Sequence, residues 1–179
     1  MEILKNNLES ELNIRTEMNF PVEGIEFIDI NPIMLGKNIY NEVIEKFIEE
    51  IKNKNIDYII SPEARGFLFG CAVASKLNIG FIPVRKKGKM PPTTVEIGFE
   101  YEKEYGKDIL EFPKLINNES YKDKNFYIID DIYATGNTAR AIKDTIQKLG
   151  GNVLGTAVVI NIKELNNDNI YSIIDINEK

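Results

Sequence analysis

The run Phe126-Tyr127-Ile128-Ile129-Asp130-Asp131, followed by Ala134-Thr135-Gly136-Asn137-Thr138, constrains this chain more than any other stretch. Its first four residues are aromatic or β-branched and read as a strand, which delivers two adjacent carboxylates to its carboxyl end. The small-residue turn beyond them opens a helix, in which Ile142, Thr145, Ile146 and Leu149 keep helical spacing until Gly150-Gly151 stops it. Backbone N–H groups at that helix start, the threonine hydroxyls and the positive end of the helix dipole together form an anion site, suited to a phosphomonoester. The carboxylates cannot hold phosphate. They can accept hydrogen bonds from vicinal sugar hydroxyls, or from water around Mg²⁺, which prefers oxygen ligands and retains water. Sugar and phosphate are therefore expected side by side.

Elsewhere the same order of strand and helix recurs. Tyr58-Ile59-Ile60 reads as a short buried strand ending at Ser61-Pro62, and Phe67 to Leu77 carries small and apolar residues suited to a buried helix. Gly80 to Val84, Val153 to Ile160 and Ile170 to Ile174 predict three further strands. Upstream, Tyr40, Val43, Ile44, Phe47, Ile48 and Ile51 make the one-sided stripe of an amphipathic helix. Between Arg85 and Asn118 the chain is charged and proline-marked, with Lys89-Met90-Pro91-Pro92 breaking any regular element, and it is expected to move. The alternation predicts an α/β fold: a mainly parallel sheet with helices on both faces and ligands beyond the carboxyl ends of the strands. Chemistry is expected just after Ile60, Val84 and Ile129.

Composition removes several classes of function. A chain of 179 residues with 43% hydrophobic side chains suits one domain with a sizeable core. Its 22 basic against 28 acidic residues give a net charge of −6, which argues against nucleic acid or an anionic membrane as partner. There is no histidine and the only cysteine is Cys71, so the usual zinc, haem and iron–sulfur ligand sets are missing, as are Ser-His and Cys-His catalysis. Neither a Walker loop nor Gly-x-Gly-x-x-Gly occurs. No apolar run approaches the roughly 20 residues that span a bilayer, and the start of the chain lacks a signal-peptide stretch; a cytoplasmic, metabolite-handling protein is expected.

The stretch from Phe126 to Thr138 resembles the 5-phosphoribosyl-1-pyrophosphate signature of type I phosphoribosyltransferases. Two further stretches narrow the likeness: Pro62-Glu63-Ala64-Arg65-Gly66-Phe67-Leu68-Phe69-Gly70, and Val84-Arg85-Lys86-Lys87-Gly88-Lys89-Met90-Pro91 with Glu104-Tyr105-Gly106 downstream. With Phe20-Pro21 and Gly24 to Ile30, they are similar to the adenine-using branch of that family from about residue 20 to residue 163. The resemblance implies one phosphoribosyltransferase domain over residues 1–179, with a small hood over about residues 1–35 and a flexible loop over about residues 86–108. It further implies transfer of the 5-phosphoribosyl group to adenine, giving AMP and pyrophosphate, use of Mg²⁺ bound mainly through substrate and water, and a homodimer. A 6-oxopurine transferase remains an alternative. So does a regulator that binds the donor without chemistry, although only about 20 residues precede the hood match, too few for a separate DNA-binding module.

Residue roles follow from the same likeness. Asp130, Asp131, Ala134, Thr135, Gly136, Asn137 and Thr138 would hold the ribose and its phosphate. Arg65, Arg85, Lys86 and Lys89 would meet pyrophosphate, arginine in a fork and lysine as a movable point charge. Glu104 occupies the family's Glu-Tyr-Gly match and would move the purine proton. Phe27 matches the position that stacks on the base, flanked by Glu26 and Ile28, whose backbone groups would read the exocyclic amine. The Glu63-Ala64 peptide is expected to be cis. Ile28 stands where the family commonly carries arginine, and Asn137 where glycine is frequent.

Overall fold

The computed structural model describes residues 12, 14–103 and 106–176, and the chain divides into two compact units, residues 1–46 and 47–179. In the first unit β1 (Arg15–Met18) pairs antiparallel with β2 (Glu26–Asp29), setting Glu17 opposite Phe27 and Thr16 opposite Ile28. Asn19, at φ 62°, turns the chain between them, and its Oδ1 accepts from the Gly24 N–H at 2.9 Å. Short polar residues tolerate this left-handed backbone because their side chains bond locally. The Phe20–Pro21 bond is cis. Helix α1 (Asn31–Leu35) carries Pro32 in its first turn, where a missing N–H does no harm, and α2 (Lys37–Ile51) begins in this unit. Ile30, Ile33, Val43 and Ile44 are buried.

The second unit is built on a seven-stranded sheet in the order β5-β6-β4-β3-β7-β8-β9. These strands are β3 (Tyr58–Pro62), β4 (Gly80–Lys86), β5 (Val95–Lys103), β6 (Gly106–Pro113), β7 (Asn125–Tyr133), β8 (Asn152–Ile162) and β9 (Tyr171–Ile176). The five from β4 to β9 run parallel, as the alternation of strand and helix predicts; β5 and β6 are antiparallel additions at one edge. Helix α3 (Arg65–Leu77) packs on β3, β4 and β7, and α4 (Asn137–Lys148) on β8 and β5. Successive β7 side chains serve opposite faces. Phe126 and Ile128 join Ile142 and Ile146 of α4 in one buried cluster, whereas the Tyr127 hydroxyl donates to Glu50 Oε1 of α2 at 3.1 Å. Each fully buried residue of this size contributes about 1.5 to 3 kcal/mol.

The segment expected to lack regular structure is a β-hairpin. Pro91 and Pro92 do interrupt the chain, but Val95–Lys103 then pairs with Gly106–Pro113 through Phe99 opposite Leu110 and Tyr101 opposite Asp108. Tyr101, Leu110 and Phe112 are buried, and Phe99 packs on the Phe112 ring at 5.5 Å. The physical reason is a two-residue alternation that the prolines overshadow. β6 continues the sheet by pairing with β4 through Arg85 opposite Glu111.

Candidate functional site

Three neighbouring parallel strands, β4, β3 and β7, end together. Pro62 lies opposite Val84, and Ile60 opposite Ile128, so the residues following Pro62, Val84 and Ile129 emerge at one edge of the sheet. The Glu63 N–H donates to the Val84 carbonyl at 2.8 Å, tying two of these ends, and the Glu63–Ala64 peptide is cis. The strand expected to end at Ile60 runs on to Pro62, and the residues after Pro62, Val84 and Ile129 are brought to one place.

At the end of β7 the carboxylates of Asp130 and Asp131 differ in surroundings. Asp131 is buried, and Arg65, from the first turn of α3, sets its Nε 2.7 Å from Asp131 Oδ2. Asp131 Oδ2 thus has a cation beside it, and among the described residues it accepts no hydrogen bond. The Asp131 N–H donates to Asp130 Oδ1 at 2.9 Å. Burial holds the Asp130 carboxyl well above the usual carboxylate range, the Asp131 charge and side chain push the same way, and Arg65 opposes them. A pair of adjacent acids, one buried and one half-buried, gains from ligand hydroxyls or metal-bound water that donate to it. Gly66 makes the arrangement possible, since a Cβ there would stand 2.8 Å from Asp130 Oδ1 and 3.0 Å from Pro62 Cδ.

Ala134, Thr135 and Gly136 link the acids to α4. Gly136 is the N-cap residue at φ 78°, a left-handed conformation that favours glycine, and no side chain caps the helix. The first N–H bonded back along the chain is that of Arg140, to the Gly136 carbonyl at 3.0 Å. The first-turn amides at Asn137 and Thr138 thus form the donor end expected for an anion, with the Thr135 and Thr138 side chains beside them in sequence.

The remaining cations are placed differently from one another. Arg85 is turned onto Glu63, its Nε donating to Oε2 at 3.0 Å and a terminal nitrogen to Oε1 at 3.4 Å, while the Lys86 N–H also donates to Oε2 at 2.9 Å. The Arg85 hydrogen bond, helped by the Lys86 amide and by nearby positive charge, holds the Glu63 carboxyl below its ordinary range. Lys86, Lys87 and Lys89 are exposed on a tight turn closed by the Lys89 N–H on the Lys86 carbonyl at 3.1 Å. Glu26, Phe27 and Ile28 belong to the first unit, where the Phe27 ring meets Phe20 edge-on at 5.1 Å. Glu104 lies outside the described residues.

Among the described residues no group of three or more acidic, cysteine or histidine side chains could hold a metal. The donor set at the end of β7, two adjacent carboxylates with a guanidinium beside one, suits Mg²⁺ held through substrate oxygens and water. Sequence reading missed Glu63 as the partner of Arg85, and it missed a network behind the turn. Asn166 Nδ2 donates to the Ala134 carbonyl at 2.8 Å, and the Tyr133 hydroxyl donates to Asp168 Oδ2 at 2.7 Å. Arg140 was discoverable, one helical turn beyond Asn137; Asn166 and Asp168 carry no local signal.

Known proteins point the same way. The profile of the phosphoribosyl transferase domain matches residues 29–177. An adenine phosphoribosyltransferase of Clostridium acetobutylicum is 45% identical over 154 residues, spanning 86% of this chain and 87% of the relative. The crystal structure of adenine phosphoribosyltransferase from Thermoanaerobacter pseudethanolicus superposes with a TM-score of 0.83 at 35% identity, covering 96% of this chain and 99% of that one. The Saccharomyces cerevisiae adenine phosphoribosyltransferase, complexed with an imino-altritol bisphosphate and adenine, gives a TM-score of 0.81 at 34% identity, covering 97% of this chain and 100% of that one.

Proposed function

The chain belongs to the phosphoribosyl transferase family, and from that membership we propose that it is a purine-salvage transferase joining adenine to 5-phosphoribosyl-1-pyrophosphate. Adenine N9 bonds to the ribose carbon, the bond from that carbon to pyrophosphate oxygen breaks, and the N9 proton leaves to a base; AMP and pyrophosphate result. The observation that carries the reading is the Asp130-Asp131 pair at the end of β7, running into the uncapped start of α4. The names of the relatives favour adenine over the 6-oxopurines and over a regulator without chemistry.

In this reading the 5-phosphate takes the amides of Gly136, Asn137 and Thr138 and the hydroxyls of Thr135 and Thr138, with Ala134 completing the turn. Ribose hydroxyls donate to Asp130 and Asp131, which relieves the crowding of two acids in a low-dielectric site. Arg65, Arg85, Lys86 and Lys89 neutralise the departing pyrophosphate; Arg85 exchanges Glu63 for phosphate oxygens. Asp130 and Asp131 would hold Mg²⁺ through its water, and the ion would supply charge neutralisation at the pyrophosphate oxygens. Phe27 stacks on adenine, with Glu26 and Ile28 presenting backbone groups to its edge, and Glu104 takes the purine proton. A homodimer in which the exposed lysine turn after β4 serves a neighbouring subunit suits the charge of that turn, and a cytoplasmic setting suits the lone Cys71 and a phosphorylated donor.

The test is a competition between nucleobases with donor and Mg²⁺. AMP should form fastest, and a preference for hypoxanthine or guanine would overturn the adenine assignment.

A further inference from the structure

The turn between β7 and α4 is held from behind at Ala134 and Thr135 and crowded at Gly136. Asn166 Nδ2 donates to the Ala134 carbonyl at 2.8 Å. The Arg140 guanidinium donates to the Thr135 carbonyl and, at 2.9 Å, to Asn137 Oδ1. Between these, Gly136 lies so close to the network that a Cβ would run into the Tyr133 hydroxyl and stand 2.7 Å from an Arg140 nitrogen. Both of those groups converge on one acceptor, Asp168 Oδ2, which takes the Tyr133 hydroxyl at 2.7 Å and the second arm of Arg140. Asp168 is steadied in turn by its own N–H on Asn166 Oδ1 at 3.2 Å.

We propose that Asp168 is a positioning residue for the loop that receives the donor's 5-phosphate, acting through Arg140 and Tyr133; the proposal rests on the phosphoribosyl-transfer reading above. An anion site made of backbone amides binds tightly only if those amides already converge, because ordering a glycine-containing turn at the moment of binding opposes association. Arg140 reaches two loop-side acceptors and Asp168 at once because its guanidinium presents a rigid planar fork, and a single ammonium could not span them. The Arg140 and Asp168 side chains are 48% and 37% exposed, so their pairing contributes little to stability and its effect should appear in ligand affinity. Desolvation and the Asp168 carboxylate keep the Tyr133 hydroxyl protonated, and so a donor, across the working pH range.

The experiment titrates full-length wild type, Asp168→Asn and Arg140→Lys with ribose 5-phosphate and, separately, with pyrophosphate, alongside kcat and KM for the donor. For both variants the ribose 5-phosphate Kd should rise about five- to tenfold and the donor KM with it, while pyrophosphate Kd and kcat stay within about twofold of wild type. Unchanged or tighter ribose 5-phosphate binding in Asp168→Asn would overturn the proposal, since it would mean that Arg140, once released, serves the phosphate directly. Equal losses for both ligands would also overturn it, as general loosening. Should Asp168→Asn fail to fold, Arg140→Lys decides alone by the same criteria. If wild type forms AMP and the variants titrate like it, only this inference falls; if wild type binds neither ligand and makes no AMP, the transferase reading falls and takes the inference with it.

Discussion

Asp130 and Glu63 respond oppositely to their neighbours. Glu63 is stabilised as an anion by Arg85, whereas Asp130, desolvated and set beside a second acid, resists ionisation. For Asp130 the sign of the linkage follows directly: its folded-state affinity for a proton exceeds that of the unfolded chain, so the folded state is favoured below about pH 4 and loses stability as pH rises from there towards the raised folded value. Asp130→Asn should therefore raise Tm at pH 7, by about 2 to 4 °C for each kcal/mol relieved in a chain of this size, and the gain should vanish near pH 4. Donor binding should weaken in the same variant, because an amide nitrogen replaces one acceptor. Thermal unfolding at the two pH values checks it, and an unchanged or lower Tm at pH 7 contradicts the sign. The acids, the threonines and Gly136 were legible from residue type and order alone. Arg85 was legible as a cation but not as the partner of Glu63, because their bond depends on β3 and β4 lying side by side.

Among the elements, α3 shows how close packing and the site depend on each other. Its first turn carries Arg65 to Asp131 while Gly66 lets the helix approach the end of β7, with Asp130 Oδ1, Pro62 Cδ and the Ile129 carbonyl all within 3.3 Å of where a Cβ would stand. Two of those neighbours are backbone or a proline ring and cannot yield. Gly66→Ala should cost about 1 to 3 kcal/mol of stability and displace the Asp130 carboxylate, weakening donor binding. Denaturant melts and a donor titration would show both, and intact donor affinity would refute the packing argument. The strands and helices of the parallel part were legible because buried runs and one-sided stripes announce themselves. The β5–β6 hairpin was not, although Val95, Ile97, Phe99 and Tyr101 alternate; the charges between them and Pro91-Pro92 dominate a local reading.

On the scale of the whole molecule, the pairing of β5 with β6 runs as far as Lys103 opposite Gly106, and the proposed proton acceptor Glu104 is tested by substitution. Glu104→Gln should lower kcat by about 10² to 10⁴ while changing donor affinity little, and near-normal turnover would move the proton-transfer role to another acid. The order of strands and helices in the parallel part of the sheet, and the small-residue turn between β7 and α4, were determined by the sequence itself, because period, turn chemistry and residue type act over a few neighbours. Only the tertiary structure decided which distant side chains complete the site. Asp168 reaches Arg140 across 28 positions and Glu63 reaches Arg85 across 22, and such pairings arise when adjacent strands bring separate loops to one edge, a condition no local pattern of residues encodes.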